Sequence, residues 1–278
     1  MTVDVGSCPW VQRPGRADDY PTYARLFVEL GLEDPPPPVS MWEQELASRT
    51  FLVEGPGGVV GYTSTEALGV MGYVGQLVVA PTARRQGLGR WMMLRSAERL
   101  RTQGCQHWCL MVVRDNTPAL ELYGSLGMRR ARQATDLEVT RAHVATLPEA
   151  PRGLRVSPVE SSDGEPLTEA FGMIPGKLAR FSSLASHQLF KLTRGEGAAT
   201  ERLGVMDLRS GGVVLYPFFA VSLAHARALL EDAFTRVGPA RQSLGVVMTD
   251  NPSLEDALRK AGARTRLETY ELRGELPR

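Results

Sequence analysis

The stretch Arg84-Arg85-Gln86-Gly87-Leu88-Gly89-Arg90 decides the reading of this chain. It follows Tyr73 to Val79, an apolar run read as a strand that Pro81 ends. It opens a long helix expected from about Gly87 to Thr102 and closed by Gly104. A helix start leaves about four backbone N–H groups unpaired and carries partial positive charge, so it suits an anion. Gly87 and Gly89 let the backbone approach phosphate oxygens closely, and Arg85 and Arg90 add charge at the rim. A Walker loop would need Gly-Lys-Ser/Thr at its end, which is absent. A dinucleotide fingerprint would need a third glycine where Met92 stands.

Working outward, Asp18 to Leu30 reads as an amphipathic helix with Tyr23, Leu26, Phe27 and Leu30 on one side and Gly31 as its stop. Pro35 to Pro38 is a stiff connection, and Ser40 with Glu43 makes a capping box for a second helix through about Ser48. Thr50 to Glu54 and Val59 to Leu68 form a hairpin. His107 to Val113 is a strand whose continuous apolar character suits burial on both faces. Thr117 to Leu126 is a helix closed by Gly127, and Met128 to Val139 returns as a strand. Pro148 and Pro151 flank a linker taken as the boundary between domains 1–147 and 148–278.

The order of strand, Arg84-x-x-Gly87-x-Gly89, long helix, strand, Asn116, short helix with Tyr123, then Gly127-Met128 resembles the GNAT superfamily of N-acetyltransferases. The resemblance covers about residues 15 to 140. It implies an α/β (α+β) fold with a mixed, mainly antiparallel sheet flanked by helices, and acetyl-CoA as cosubstrate with no metal. By position, it implies that backbone groups of Leu77, Val78 and Val79 pair with the pantetheine arm. Strands in that region of the family usually splay beside a bulge to make room. The amides of Arg85, Gln86, Gly87, Leu88, Gly89 and Arg90 would hold the pyrophosphate, with Arg84 as the first residue of the signature. Asn116 would bond the pantetheine or cap the next helix; the two roles are compatible.

Tyr123 stands at the family's usual general-acid position, where its phenol would protonate the leaving thiolate. A packed aromatic with a satisfied hydroxyl is the alternative. In the branch that acetylates ribosomal proteins a glutamate serves as base, but the matching residue here is Val112. Glu66 and Gln76 are the remaining candidates for the base or for ordering a water. Cys109 as an acyl carrier is disfavoured by its place in mid-strand, so direct transfer to a primary amine is expected. A cofactor-binding sensor without turnover is the competing reading.

The second half repeats the order of the first. Val213 to Tyr216 reads as a strand ended by Pro217, and Ser222 caps a helix to Val237 closed by Gly238. Leu244 to Met248 is a strand, Pro252 to Ala261 a helix closed by Gly262, and Thr265 to Leu272 the last strand. Asn116 and Asn251, and Gly127 and Gly262, each lie 135 positions apart. By that offset the phosphate loop falls near Phe218 to Ala224, which has neither a glycine pair nor an arginine, and Tyr123 falls on Leu258. The second half is therefore expected to be a degenerate copy that shapes or covers the acceptor site, or serves as an internal dimer partner.

Composition narrows the partners. A chain of 278 residues suggests two domains, and its net charge of +1 gives no reason to expect nucleic acid or a membrane surface. No apolar run approaches the roughly 18 residues of a span, so a cytoplasmic location is expected. The chain is read as a monomeric pseudo-dimer or a homodimer acting on a small-molecule or peptide amine. Cys8, Cys105 and Cys109 are too few for a disulfide framework or zinc site, and the latter two read as buried thiols.

Overall fold

The computed structural model of the protein describes residues 9–195, 200–209 and 214–277. Cys8 and Val213 lie outside them. The chain forms two compact units. One holds the described residues through Met111, Thr117–Arg129 and the residues from Leu272 on; the other holds Val112–Asn116 and Arg130–Glu271. This partition differs from the linear halves 1–147 and 148–278, because residues 130–147 group with the second unit and 272–277 with the first.

The first unit contains β1 (Val11–Pro14), β2 (Thr50–Gly55), β3 (Gly58–Leu68), β4 (Met71–Val79) and all but the last two residues of β5 (His107–Val113), hydrogen-bonded in that order and followed by residues 272–275 of the final strand. The first three pairings are antiparallel and β4 with β5 is parallel. Helix α1 (Tyr20–Phe27) runs on as a 3-10 turn to Leu30, and Gly31 ends it at φ 69°. The capping box expected at Ser40 and Glu43 does not form. Helix α2 (Val39–Met41) starts a residue earlier and passes into a π-turn, Trp42–Leu46. Pro38, held extended, takes the N-cap place, and its carbonyl accepts from the N–H groups of Met41 and Trp42. Helices α3 (Leu88–Thr102) and α4 (Thr117–Ser125) complete the unit.

Strand alternation divides the sheet's faces. Leu52, Tyr62, Val78 and Ala80 pack with Tyr23, Leu26 and Trp42 on the α1–α2 side. Val53, Leu77 and Val79 pack with Leu88 and Met92 on the α3 side.

The second unit contains β6 (Arg129–Thr140), α5 (Arg141–Ala145), β7 (Leu154–Pro158), α6 (Gly164–Ala170), α7 (Lys177–Ser182), β8 (His187–Arg194), β9 (Glu201–Arg209), β10 (Val214–Ala220), α8 (Leu223–Val237), β11 (Ser243–Thr249), α9 (Pro252–Lys260) and β12 (Arg264–Glu275). Its strands run in the order β12-β6-β11-β10-β9-β8-β7. From β7 to β11 they repeat the senses of β1 to β5, three antiparallel pairings and then a parallel one. Even the irregularities recur: β3 slips against β2 beside Val53, and β9 slips against β8 beside Leu192. Each unit is thus a mixed, mainly antiparallel sheet flanked by helices. Pro217 does not end β10 as expected. The register shifts between Leu215 and Phe218, and that irregularity accommodates a residue without an N–H.

Candidate functional site

The first unit has an open strand edge. β4 pairs with β3 along its whole length, from Leu68↔Met71 to Gly61↔Val79. With β5 it pairs only from Met71↔His107 to Val74↔Leu110. The parting coincides with a bulge. Ser64 faces Gln76 and Thr65 faces Val74, which leaves Gly75 as the extra residue. A Cβ at Gly75 would come within 2.9 Å of Ser64 Oγ. Beyond the bulge, among the described residues of this unit, the edge of residues 75–79 turned toward β5 has no strand partner. An extended molecule can pair there as an added strand would.

Eight residues, 80–87, carry the chain from β4 to α3. Ala80 N–H donates to Val60 O at 2.8 Å, and Ala83 and Leu88 are buried, so the loop is anchored at both ends. Two left-handed residues shape its tip, Arg85 at φ 62° and Gly87 at φ 84°. Gly87 is the N-cap of α3, and no side chain caps the helix. The first intrahelical bond runs from Trp91 N–H to Gly87 O at 3.1 Å, so the amides before it point out of the helix end. Gly89 packs closely: a Cβ there would meet Leu122 at 3.3 Å and Leu77 and Val79 at 3.9 Å. Leu77 and Val79 thus support the helix start with their side chains, and of the backbone edge beside them Val79 O accepts from Arg84 Nε.

The arginines divide. Arg84 donates from Nε to Val79 O at 3.1 Å and pairs through Nη2 with Glu29 at 2.6 Å, so it fastens the loop to the turn after α1. Arg90 donates to Ser125 Oγ at 2.8 Å and ties α3 to the end of α4. Arg85 is exposed and has no hydrogen bond or ion pair among the described residues. Gln86 donates its side-chain amide to Thr82 O at 3.1 Å within the loop.

Tyr123 is buried on α4, at 7% exposure. Burial alone pushes its phenol up to about 12. Asn116 belongs to the second unit, where its N–H donates to Val113 O at 3.1 Å; Val112 is buried in that unit. Cys105 and Cys109 are buried free thiols.

Glu66 and Gln76 share the α1–α2 face of the sheet, among groups that sequence reasoning missed. Glu66 accepts from Arg49 Nη1 at 2.9 Å, and Gln76 Oε1 accepts from Tyr23 OH at 3.4 Å. Burial pushes Tyr23 up to about 12, and the bond to Gln76 opposes it. Arg49 Nε and Tyr62 OH are buried without a hydrogen-bond partner among the described residues. Only Gly75, a glycine inside an apolar strand, hinted at this cluster, since its bulge turns Tyr73 and Gln76 to one face.

The second unit lacks both halves of the arrangement. β10 pairs with β11 at Leu215↔Val246 and again, past the irregularity, at Phe218↔Met248, so the strands close up. Only two residues, Val221-Ser222, connect β10 to α8. The stretch Phe218 to Ala224, where the offset places the counterpart of the loop, is strand end, turn and helix start, and the connection is six residues shorter than that in the first unit. Ser222 also caps α8 itself, accepting from His225 N–H at 3.4 Å.

Residues 18–128 match the family model described as Acetyltransferase (GNAT) family. No curated protein matches the chain by sequence. Three solved structures share its fold over nearly the whole length. A GCN5-related N-acetyltransferase from Sphaerobacter thermophilus is 20% identical, with 97% of this chain and 96% of that one covered and a TM-score of 0.68. A putative acetyltransferase from Pyrococcus horikoshii is 15% identical, with coverage of 99% and 92% and a TM-score of 0.70. A tandem GNAT protein from the clavulanic acid biosynthesis pathway is 17% identical, with coverage of 97% and 99% and a TM-score of 0.61. Among the described residues, no helix is long and apolar enough to cross a membrane, and no group of three or more His, Cys, Asp or Glu could hold a metal ion.

Proposed function

We propose, from the premise that residues 18–128 are a GNAT-family acetyltransferase domain, that the chain moves an acetyl group from acetyl-CoA directly to a primary amine, using the first unit alone. The observation that carries this is the open edge of β4 next to an α3 N-terminus with no side-chain cap. Acetyl-CoA would supply an activated thioester. The backbone of Leu77, Val78 and Val79 would hold its pantetheine arm. The amides from Arg85 to Arg90 would hold its pyrophosphate, with the exposed Arg85 adding charge.

An alkyl amine has a pKa of about 10.4, so the acceptor must shed a proton before it attacks. Gln76 and Glu66, on the α1–α2 face, are the groups assigned to ordering a water and receiving that proton. Tyr123 serves the leaving sulfur. A thiol has a pKa of about 8.5 and burial raises the Tyr123 phenol above its ordinary value of 10, so complete transfer from the phenol to the thiolate is uphill. Tyr123 therefore acts as a hydrogen-bond donor to the developing thiolate, and the proton released by the amine balances the reaction. The acceptor is a small-molecule or peptide amine, and the protein works in the cytoplasm as a monomer or homodimer.

The test is thiol release. Full-length protein with acetyl-CoA and a panel of small and peptide amines is predicted to liberate coenzyme A in proportion to one acceptor class. Binding of acetyl-CoA with no release above the hydrolytic background across the panel would sink the enzymatic reading.

A further inference from the structure

Ser64 of β3 and Gln76 of β4 lie opposite each other, next to the bulge at Gly75. Strand alternation puts both on the α1–α2 face with Tyr23 and Tyr62, and side chains opposed in this way are within reach of one ligand. Tyr23 OH donates to Gln76 Oε1 at 3.4 Å, which engages the carbonyl end of the amide and leaves the two N–H donors of Nε2 for another partner. Neither Gln76 Nε2 nor Ser64 Oγ has a hydrogen-bond partner among the described residues, and neither atom is sealed off from solvent. Gly75 keeps them open, since it is exposed and a Cβ there would come within 2.9 Å of Ser64 Oγ. A sheet face packed with aromatic and aliphatic side chains gains nothing from two unspent polar groups, because donors left without partners cost stability.

The surroundings decide what these donors recognise. Arg49 Nη1 pairs with Glu66 Oε2 at 2.9 Å, so the charges of that pair balance each other. The donors themselves are neutral, one hydroxyl and one amide nitrogen. They suit an uncharged oxygen, and a carbonyl oxygen, with two lone pairs, can accept from both. Their place along the strand is equally specific. Residues 75–79 form the open edge of β4, and the start of α3 lies beyond Val79. With the pyrophosphate of acetyl-CoA at the α3 end and the pantetheine arm running back along that edge, the acyl group emerges beside Gly75 and Gln76.

We propose that Gln76 and Ser64 select amines that carry an uncharged carbonyl close to the reacting nitrogen, as an α-amino amide or the first residue of a peptide does. Such selection rests on acetyl transfer in the first unit, as proposed above, and narrows its acceptor class. Gln76 Nε2 and Ser64 Oγ donate to the carbonyl oxygen while the amine faces the thioester. Tyr23 is a positioning residue: it holds the Gln76 amide with its nitrogen, and not its oxygen, toward the acceptor. Gln76 has two N–H groups, so one holds the carbonyl and the other remains for the water assigned to it above.

The test is coenzyme A release by the full-length protein, saturated with acetyl-CoA, from α-amino amides each paired with the amine that lacks the carbonyl. The pairs are L-phenylalaninamide with phenethylamine and L-alaninamide with ethylamine. The parent is expected to favour the amide in kcat/KM by about tenfold or more. Part of that preference comes from the less basic nitrogen of the amide and persists in every variant, so the change in the ratio is what counts. One neutral hydrogen bond is worth about two- to tenfold. Gln76→Met should lower the amide-to-amine ratio by about fivefold, Ser64→Ala by about threefold and Tyr23→Phe by about twofold, whatever happens to the separate rates. Should Gln76→Met fail to fold, Ser64→Ala, which removes a single oxygen atom, carries the test. L-phenylalanine, with a carboxylate in place of the amide, should be used less well than L-phenylalaninamide. The proposal is overturned by equal or better use of the carbonyl-free amines, by better use of L-phenylalanine, or by an unchanged ratio in folded variants. A common fall in both rates at unchanged ratio leaves Gln76 only a water to order, and acetyl transfer stands. Binding of acetyl-CoA with no release from any amine removes acetyl transfer itself, and this selection with it.

Discussion

Val74 of β4 pairs with Leu110 of β5, and there the two strands part. The bulged Gly75 comes next, and Leu77 and Val79 lie beyond it beneath Gly89. The opening therefore depends on Gly89 as well as on the strands, since a larger side chain there must push into Leu122 or over the free edge. Gly89→Leu is predicted to abolish the rise in melting temperature given by acetyl-CoA, while lowering that of the free protein by only a few degrees. A full ligand-induced rise in this variant would remove the loop from the site.

Arg84 anchors the loop through Val79 O and Glu29. Its pair with Glu29 is partly exposed, with side chains 48% and 32% accessible, and such pairs contribute about 0–1 kcal/mol. Arg84→Ala and Glu29→Gln should each weaken acetyl-CoA binding by no more than about fivefold, and the double variant no more than either one. If Arg84 touches phosphate instead, its loss will far exceed that of Glu29→Gln in a titration at low salt.

Tyr123→Phe removes a hydrogen bond to a developing thiolate, worth about 1.5–3 kcal/mol, or roughly 10- to 150-fold. That loss should fall on kcat and leave KM for acetyl-CoA near the parent value. Because burial holds the phenol near 12, the parent's rate should show no descending limb from this group below about pH 11. A limb centred between pH 8 and 10 that disappears in Tyr123→Phe would contradict the assignment.

Three buried tyrosines also set the alkaline limit of stability. Burial raises Tyr23, Tyr62 and Tyr123 above the ordinary value of 10, so each stays protonated in the fold after its unfolded counterpart has ionised. The contribution of Tyr23 and Tyr123 is complete below pH 10 and is lost as pH rises through about 12, at about 1.4 kcal/mol per pH unit for each group, and that of Tyr62, raised further, goes on being lost at higher pH. Tyr62 adds a buried hydroxyl with no partner among the described residues. Tyr62→Phe should therefore raise stability by about 1 kcal/mol at pH 7 and flatten the decline above pH 10, as read by urea unfolding.

Much of this was legible in the sequence, for local reasons. Gly87 amid arginines, and Gly31, Gly104, Gly127, Gly238 and Gly262 after apolar periods, mark helix starts and stops through left-handed backbone conformations that glycine adopts readily. Residues 154–209 show no clear local period. Their helices α6 and α7 are too short to show a period, and β7 to β9 carry Lys191 and Arg194 among their apolar residues. The pairing of Arg84 with Glu29 spans 55 positions, and no local pattern encodes it. A constant offset does not carry over to the connection after β10, because β9 and β10 have irregularities like those of β3 and β4 while that connection is six residues shorter.

One acyl-donor site per chain, in the first unit, is what the open edge of β4 and the closed pairing of β10 with β11 predict. Isothermal titration of the full-length protein with acetyl-CoA counts the sites. The predicted result is a stoichiometry of one, abolished by Gly89→Leu and unchanged by Ser222→Ala at the capped end of α8. A stoichiometry of two, or a single site that survives Gly89→Leu, would contradict it.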